Sequence, residues 1–207
     1  MKKTFLFLLI SIPLIVVPAQ DFEGVINFTM DESSPMEYFT KGEMVRMQLE
    51  MPGMKMAIVV NSKTGAAFML MTESKVYMEM NLKDLPAPKG AEEDIDFQKT
   101  GKTVTILGYT CEQVLIRQRG MEVEMWVTKG LGRFVHSNFN AGPKSPAVKK
   151  IEDELTSKGY FPLRMISKSE DQGEFRMEAL SVTRKPLKKD LFVIPNGFTK
   201  IQMPPRQ

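Results

Sequence analysis

The sequence predicts a mainly β fold of the α+β class, in which a strongly curved antiparallel sheet or half-barrel is covered by one or a few helices. Three observations predict this fold. Apolar and polar residues alternate with a period of two along most of the chain. Short turn-forming sequences separate the alternating runs. Only one segment, 145–159, combines helix-ending signals with helical spacing of apolar residues.

The N-terminus has the pattern of a cleaved signal peptide. Lys2 and Lys3 precede an apolar run over 5–17, and small or β-branched residues follow up to Ala19. The run is shorter than the ~20 apolar residues that span a membrane. We therefore expect cleavage of residues 1–19, and a single domain over 20–207 that is periplasmic or secreted and has no transmembrane segment.

Charge and cysteine content exclude some functions. Removing Lys2 and Lys3 leaves 26 basic against 25 acidic residues, a net charge near +1. Nucleic-acid binding requires a clustered basic face, and the nearly equal numbers of basic and acidic residues give no sign of one. We therefore expect no nucleic-acid partner. A single cysteine, Cys111, rules out an internal disulfide. A buried position in a strand is expected for it rather than a reactive one.

The first strands are predicted over 22–30, 36–41, 43–51 and 54–60. Pro52-Gly53 separates the last two. A two-residue turn there makes Met51 and Met54 a directly opposed pair, and both belong to the apolar sides of their strands. Hydrophobic pattern and turn length therefore agree on one register.

The following strands extend this register. Alternation over 76–82 and a two-residue turn at 73–74 place Met71 opposite Val76. A four-residue loop over 62–65 then places Met56 opposite Met71, whereas a three-residue loop would turn Phe68 and Leu70 inward. We adopt the four-residue loop because it keeps both neighbouring registers consistent. The strands then share one apolar face, the predicted methionine wall: Met47, Leu49, Met51, Met54, Met56, Ile58, Met69, Met71, Met78 and Met80.

The first strands form one antiparallel meander, and the second half of the chain is predicted to form another. A Pro-rich, acidic loop over 83–96 precedes it. Further strands are expected near 102–107, 109–117, 121–128, 161–169 and 173–183, with a last extended piece within 192–205. In the predicted helix, Ser145 suits the N-cap and Gly159 the position past the end. One apolar stripe on this helix is expected to lie over the sheet.

Three segments together resemble a known family: KTGKTVTILGYTCEQ (99–113), EVEMWVTKGLG (122–132) and LFVIPNGFTKIQMP (191–204). They resemble the DUF4412 family of exported bacterial proteins, which has no established activity. The resemblance implies a fold similar to periplasmic lipoprotein carriers of the LolA type and lipid binders of the LppX and LprG type. These use a half-open antiparallel barrel with helices over its apolar concave face.

No enzyme signature is present. The single histidine, His136, lies in a Gly-rich segment, and no HExxH, Walker-type or dinucleotide-binding motif occurs. We expect neither an enzyme nor a cofactor.

Three interpretations of the methionine wall stay open. Thioethers select Cu(I), and either Met54 and Met56 with Met71, or Met69 with Met78, could converge. However, aliphatic residues such as Ile58 share the wall, so no metal site is expected there. If a cavity lies against the methionine wall, it would bind a lipid or acylated ligand. If other side chains pack against the wall, the wall would be the core of a structural or interaction protein. The ligand, the oligomeric state and the roles of Cys111 and the 83–96 loop are not determined by the sequence.

Overall fold

The main feature of the computed structural model is one open, curved sheet of twelve strands, which confirms the mainly β class. The structure describes residues 22–31, 33–51, 53–82, 95–118, 120–135, 153–170 and 173–202. The strands are β1 Gly24–Met30, β2 Ser34–Lys41, β3 Met44–Met51, β4 Met54–Asn61, β5 Ala66–Met71, β6 Val76–Asn81, β7 Asp96–Ile106, β8 Tyr109–Gln118, β9 Met121–Lys129, β10 Tyr160–Ser169, β11 Gly173–Arg184 and β12 Thr199–Lys200.

Two antiparallel meanders build the sheet, in the order β12-β6-β5-β4-β3-β2-β1-β11-β10-β9-β8-β7. Among the described strands they pair where β1 meets β11, and the side-chain amide of Asn27 donates to Ser181 Oγ across this junction at 2.8 Å. β12 pairs with β6 in parallel, which corrects the expectation of a wholly antiparallel sheet. The expected short extended piece after residue 192 is confirmed as β12.

The predicted register of the first meander is confirmed. Met51 pairs with Met54, and the 62–65 loop places Met56 opposite Met71. Met71 also opposes Val76 as predicted, although the connection spans four residues, 72–75, instead of two.

The second meander needs one correction. β7 begins at Asp96 instead of near 102, because its register shifts between Lys99 and Thr103 and the alternation is broken there. Asp96, the last residue of the predicted 83–96 loop, therefore belongs to β7. Residues 83–94 lie outside the described part of the chain.

The sheet is strongly curved. Tyr38 on β2 and Phe161 on β10 are separated by three strand steps, about 14 Å in a flat sheet. Their ring centroids nevertheless lie 5.4 Å apart, with the rings at 80°. Phe28 stacks on Phe161 with the centroids at 6.3 Å. These contacts require a concave face on which side chains of both meanders meet.

Residues 131–135, which we call the crossing segment, run from the end of β9 over the middle of the concave face. The Tyr38 hydroxyl donates to the carbonyl oxygen of Arg133 at 2.9 Å and accepts from the Val135 N–H at 2.8 Å. Phe134 packs on Phe161 with the centroids at 5.3 Å. Leu131 is fully buried. Tyr38 therefore holds the crossing segment against the sheet.

Thr40 lies under the crossing segment with a buried hydroxyl that has no hydrogen-bond partner. An unsatisfied buried hydroxyl destabilises the fold. Thr40→Val is therefore expected to leave the melting temperature unchanged or raise it, as measured by thermal unfolding. Thr100→Val is the control, because the Thr100 hydroxyl bonds to Gln113 Oε1 at 2.8 Å, and we expect it to cost about 1 kcal/mol. Equal losses in both variants would contradict this.

The other face of the first meander is covered by the chain after β11. Leu187 and Phe192 form a small buried cluster with Val59 of β4, and a 3-10 helix spans Lys189–Phe192. Arg46 Nη1 donates to the carbonyl oxygen of Leu191 at 3.0 Å. This outer face is therefore packed beneath a segment that leads into β12.

The expected helical cover is found only in part. Residues 153–157 are helical, and Leu155 packs against the main core. The rest of the predicted 145–159 helix, up to residue 152, lies outside the described residues, and the 3-10 helix is on the opposite face. Among the described residues, no helix is long and apolar enough to cross a membrane.

Candidate functional site

The structure assembles the predicted methionine wall on the concave face. Directly opposed residues form two rows across the strands. One row contains Met47, Ile58, Met69 and Met78. The next contains Leu49, Met56 and Met71, and Met51 pairs with Met54 beyond it. Met80 lies on the same face, opposite Ala67.

Burial changes along the wall. Met47, Ile58 and Met78 are buried. Met54, the first residue of β4, is 45% exposed. The side chain of Met51 lies outside the described part of the structure. The remaining members are half-buried: Leu49, Met56, Met69, Met71 and Met80. The wall is thus covered in the middle of the sheet and accessible towards Met54.

The concave face continues into the second meander, which sequence reasoning did not connect to the wall. Met30 opposes Met177, which opposes Met165, which opposes Met125. The neighbouring row runs from Phe175 through Ser167, Val123 and Ile116 to Phe97. Every methionine whose strand position and side chain are described lies on this face except Met44, which packs on the outer side.

Half-buried apolar residues from both meanders gather at one end of the concave face. This end is where Met51 pairs with Met54, Gln118 with Met121 and Ser169 with Gly173, and we call it the turn end. The aromatic cluster of Tyr38, Phe134 and Phe161 fills the middle of the face. The half-buried residues of the turn end are Leu49, Met56, Phe97, Ile116, Val123 and Phe175. An apolar surface that is only partly covered is typical of a ligand site.

A charged cluster fastens the 153–157 helical turn to the sheet. Lys99 Nζ lies 2.7 Å from Glu154 Oε1, and Lys158 also pairs with Glu154. The ammonium groups of Lys99 and Lys129 each lie 5.1 Å from the ring centroid of Tyr160. The Tyr160 hydroxyl donates to Glu112 Oε2 at 2.9 Å.

Acid is expected to release this helical turn. Hydrogen bonds from Lys158 and then Lys99 lower the pKa of Glu154 to about 2. A carboxyl group whose pKa is lowered on folding stabilises the fold above its unfolded pKa of about 4.3, and the contribution disappears as the pH falls towards 2. We expect Glu154→Gln to lower the melting temperature at pH 7, with a difference from wild type that shrinks between pH 5 and pH 2. Glu170→Gln, at an exposed turn, is the control. A difference independent of pH would contradict the prediction.

Cys111, His136 and the acidic side chains are the residues that bear on nucleophile and metal chemistry. Cys111 is buried in β8 as expected, burial raises the pKa of its thiol, and its Sγ lies 3.6 Å from the carbonyl oxygen of Tyr109. His136 lies outside the described residues. Within the described ranges, no group of three His, Cys, Asp or Glu side chains is placed to hold a metal ion.

A shallow depression of about 550 Å³ lies mainly on the outer face of β3 to β6. It shares only Met80 with the predicted wall. Its other lining residues are Met44, Val59, Asn61, Thr64, Ala66, Ala67, Phe68, Glu79 and Asn81. The predicted wall and this depression are therefore largely separate surfaces.

Comparisons with known proteins place the chain in a family. The family described as "Domain of unknown function (DUF4412)" matches residues 22–198. The chain belongs to the DUF4412 family. This match confirms the resemblance found in the sequence and covers all of β1 to β11. A comparison with curated proteins found no sequence match for this DUF4412 chain.

Solved structures resemble the DUF4412 chain in fold. An uncharacterised conserved protein from Thermus thermophilus is 10% identical, with a TM-score of 0.52, over 89% of this chain and 93% of that chain. PNGF-II is 16% identical, with a TM-score of 0.50, over 88% of this chain. The DUF4412 chain matches only 30% of the PNGF-II chain. At these identities the likeness concerns the fold alone.

Proposed function

We propose that this DUF4412 chain is an exported, non-catalytic binding protein of the cell envelope. Its ligand is the acyl chain of a lipid or of an acylated protein, bound at the turn end of the concave face. The observation that carries this proposal is the half-buried row of Leu49, Met56 and Met71, which continues the face beyond its filled centre.

The chemistry of the turn end suits an acyl chain. Its side chains are aliphatic, aromatic or thioether groups, and methionine adapts to apolar ligands of varied shape because its side chain is flexible and polarisable. Ser167, between Phe175 and Val123, offers a polar group among them. As part of the proposal, the segment 145–159 is a helix over the concave face, as in carriers of the LolA type.

A second candidate is a structural or interaction protein that binds no ligand. The rings of Phe28, Tyr38, Phe134 and Phe161 pack against one another in the middle of the concave face and favour this alternative. The two candidates differ in what they predict for Met56 and Met71. A ligand site requires their apolar surface for binding, whereas a filled core requires it for stability alone.

Titration with a fluorescent fatty acid tests the proposal. We expect Met56→Gln with Met71→Gln to weaken binding by roughly 10-fold or more, because two buried contacts are lost. Leu180→Gln is the control, since Leu180 is an apolar residue of β11 that is 60% exposed. Native mass spectrometry of protein taken from its own compartment should reveal bound lipid. Absence of probe binding by the wild type, together with a bare polypeptide mass, would support the structural alternative.

A further inference from the structure

A row of four adjacent methionines runs from the first meander across the junction into the second. Met30 on β1, Met177 on β11, Met165 on β10 and Met125 on β9 oppose one another in succession. In the predicted wall, Ile58 and Leu49 interrupt the methionine rows. Here the four methionines are adjacent, although aliphatic residues such as Val114 and Val123 share the face, as they do in the wall.

The curvature of the sheet brings these side chains together. Directly opposed residues in adjacent antiparallel strands have Cβ atoms about 4.5–5.5 Å apart. β1 and β10 are two strand steps apart, about 9.6 Å in a flat sheet. Phe28 and Phe161, on these same two strands and the same face, have ring centroids only 6.3 Å apart. The same curvature would bring the side-chain ends of Met30, Met177 and Met165 closer together than their backbones.

We propose that this methionine row binds one Cu(I) ion through its thioether sulfurs. Soft thioether ligands select Cu(I) over the harder divalent metals. Met125, Met165 and Met177 are buried, and Met30 is half-buried and gives access from the turn end. Neutral thioether ligands leave the charge of the ion uncompensated. Because burying charge in an apolar environment is costly, the site favours a monovalent ion over a divalent one.

The neighbouring charge does not oppose the ion. The row continues through Val114 to Lys99, whose ammonium would repel a cation. Glu154 pairs with this ammonium at 2.7 Å. The positive charge closest along the row is therefore balanced by an adjacent carboxylate.

Competition against a chromophoric Cu(I) chelator, under anaerobic reducing conditions, tests the site. The test variant is Met165→Leu with Met177→Leu, which removes two thioethers at nearly constant volume. Its matched control is Met56→Leu with Met71→Leu, on the same face. We expect the wild type and the control to take one equivalent of Cu(I) with equal affinity. The test variant is expected to bind roughly 100-fold or more weakly, since it loses direct ligands.

Either of two binding results would overturn the proposal: no Cu(I) uptake by the wild type, or equal losses in the two double variants. Circular dichroism melting of each variant shows whether the test variant remains folded. If it does not, X-ray absorption of the copper-loaded wild type decides, because a first shell of nitrogen or oxygen instead of sulfur overturns the site. Fatty-acid binding by the test variant is measured in parallel, so failure of the copper site and failure of the proposed function are distinguishable.

Discussion

Replacing Tyr38 by alanine is expected to lower the free energy of unfolding by about 3–5 kcal/mol, the usual cost of deleting a large buried aromatic side chain. Tyr38 is fully buried and contacts the rings of Phe28, Phe134 and Phe161. Its removal leaves a cavity where the two meanders meet. It also loosens the crossing segment, because two hydrogen bonds to that segment use the Tyr38 hydroxyl.

Tyr38→Phe separates the contribution of ring packing from that of the hydroxyl hydrogen bonds. It keeps the ring and removes only the hydroxyl, so we expect a loss of about 1–3 kcal/mol. Burial raises the pKa of Tyr38, and the hydroxyl therefore stays protonated as a donor. Urea unfolding measures both variants. A loss for Tyr38→Phe as large as that for Tyr38→Ala would contradict the assigned role of the ring. No loss at all would contradict the role of the hydroxyl.

Gly24→Ala is expected to destabilise the fold by about 3 kcal/mol, through steric conflict at the junction of the meanders. A Cβ atom at Gly24 would lie 2.2 Å from the carbonyl oxygen of Thr183 and 3.0 Å from the Cα atom of Arg184. Both atoms belong to the backbone of β11. A flexible side chain could move away, but here the β1–β11 pairing itself must shift.

Gly42→Ala is the comparison for this prediction. Gly42 has φ +57°, and a methyl group added there would meet nothing within 4 Å, so only the cost of a left-handed conformation remains, about 1 kcal/mol. Chemical denaturation of both variants measures the difference. If Gly24→Ala were as mild as Gly42→Ala, β1 and β11 would be less rigidly joined than the geometry indicates.

The first meander was largely predictable from sequence because its register is set by local signals, namely turn lengths and the alternation of apolar and polar residues. Pro52-Gly53 and the 62–65 loop set the turn lengths, and alternating residues on both sides allow only one register. Met51, Met54, Met56 and Met71 therefore pair as predicted. The broken alternation near Gly101 concealed the true start of β7, since a bulge changes which residues share a face.

Long-range features of the site were not predictable in this way. Met30, Met125, Met165 and Met177 each lie in a different strand, and three strand pairings, including the long-range β1–β11 pairing, put them in one row. The contact between Tyr38 and the crossing segment likewise joins residues without any shared local pattern. The wall could thus be proposed from sequence, whereas its filled centre and its continuation into the second meander required the three-dimensional fold.

The β1–β11 junction also determines the order in which the protein is able to fold. Asn27 and Ser181, which meet there, are 154 positions apart in the chain. Each meander forms from neighbouring hairpins, but closing so long a loop comes late and slowly. During synthesis β1 emerges first and its partner almost last, so its edge stays unpaired until residue 184 has been made. An unpaired edge is prone to association with other chains, and chaperone protection is most needed in this interval.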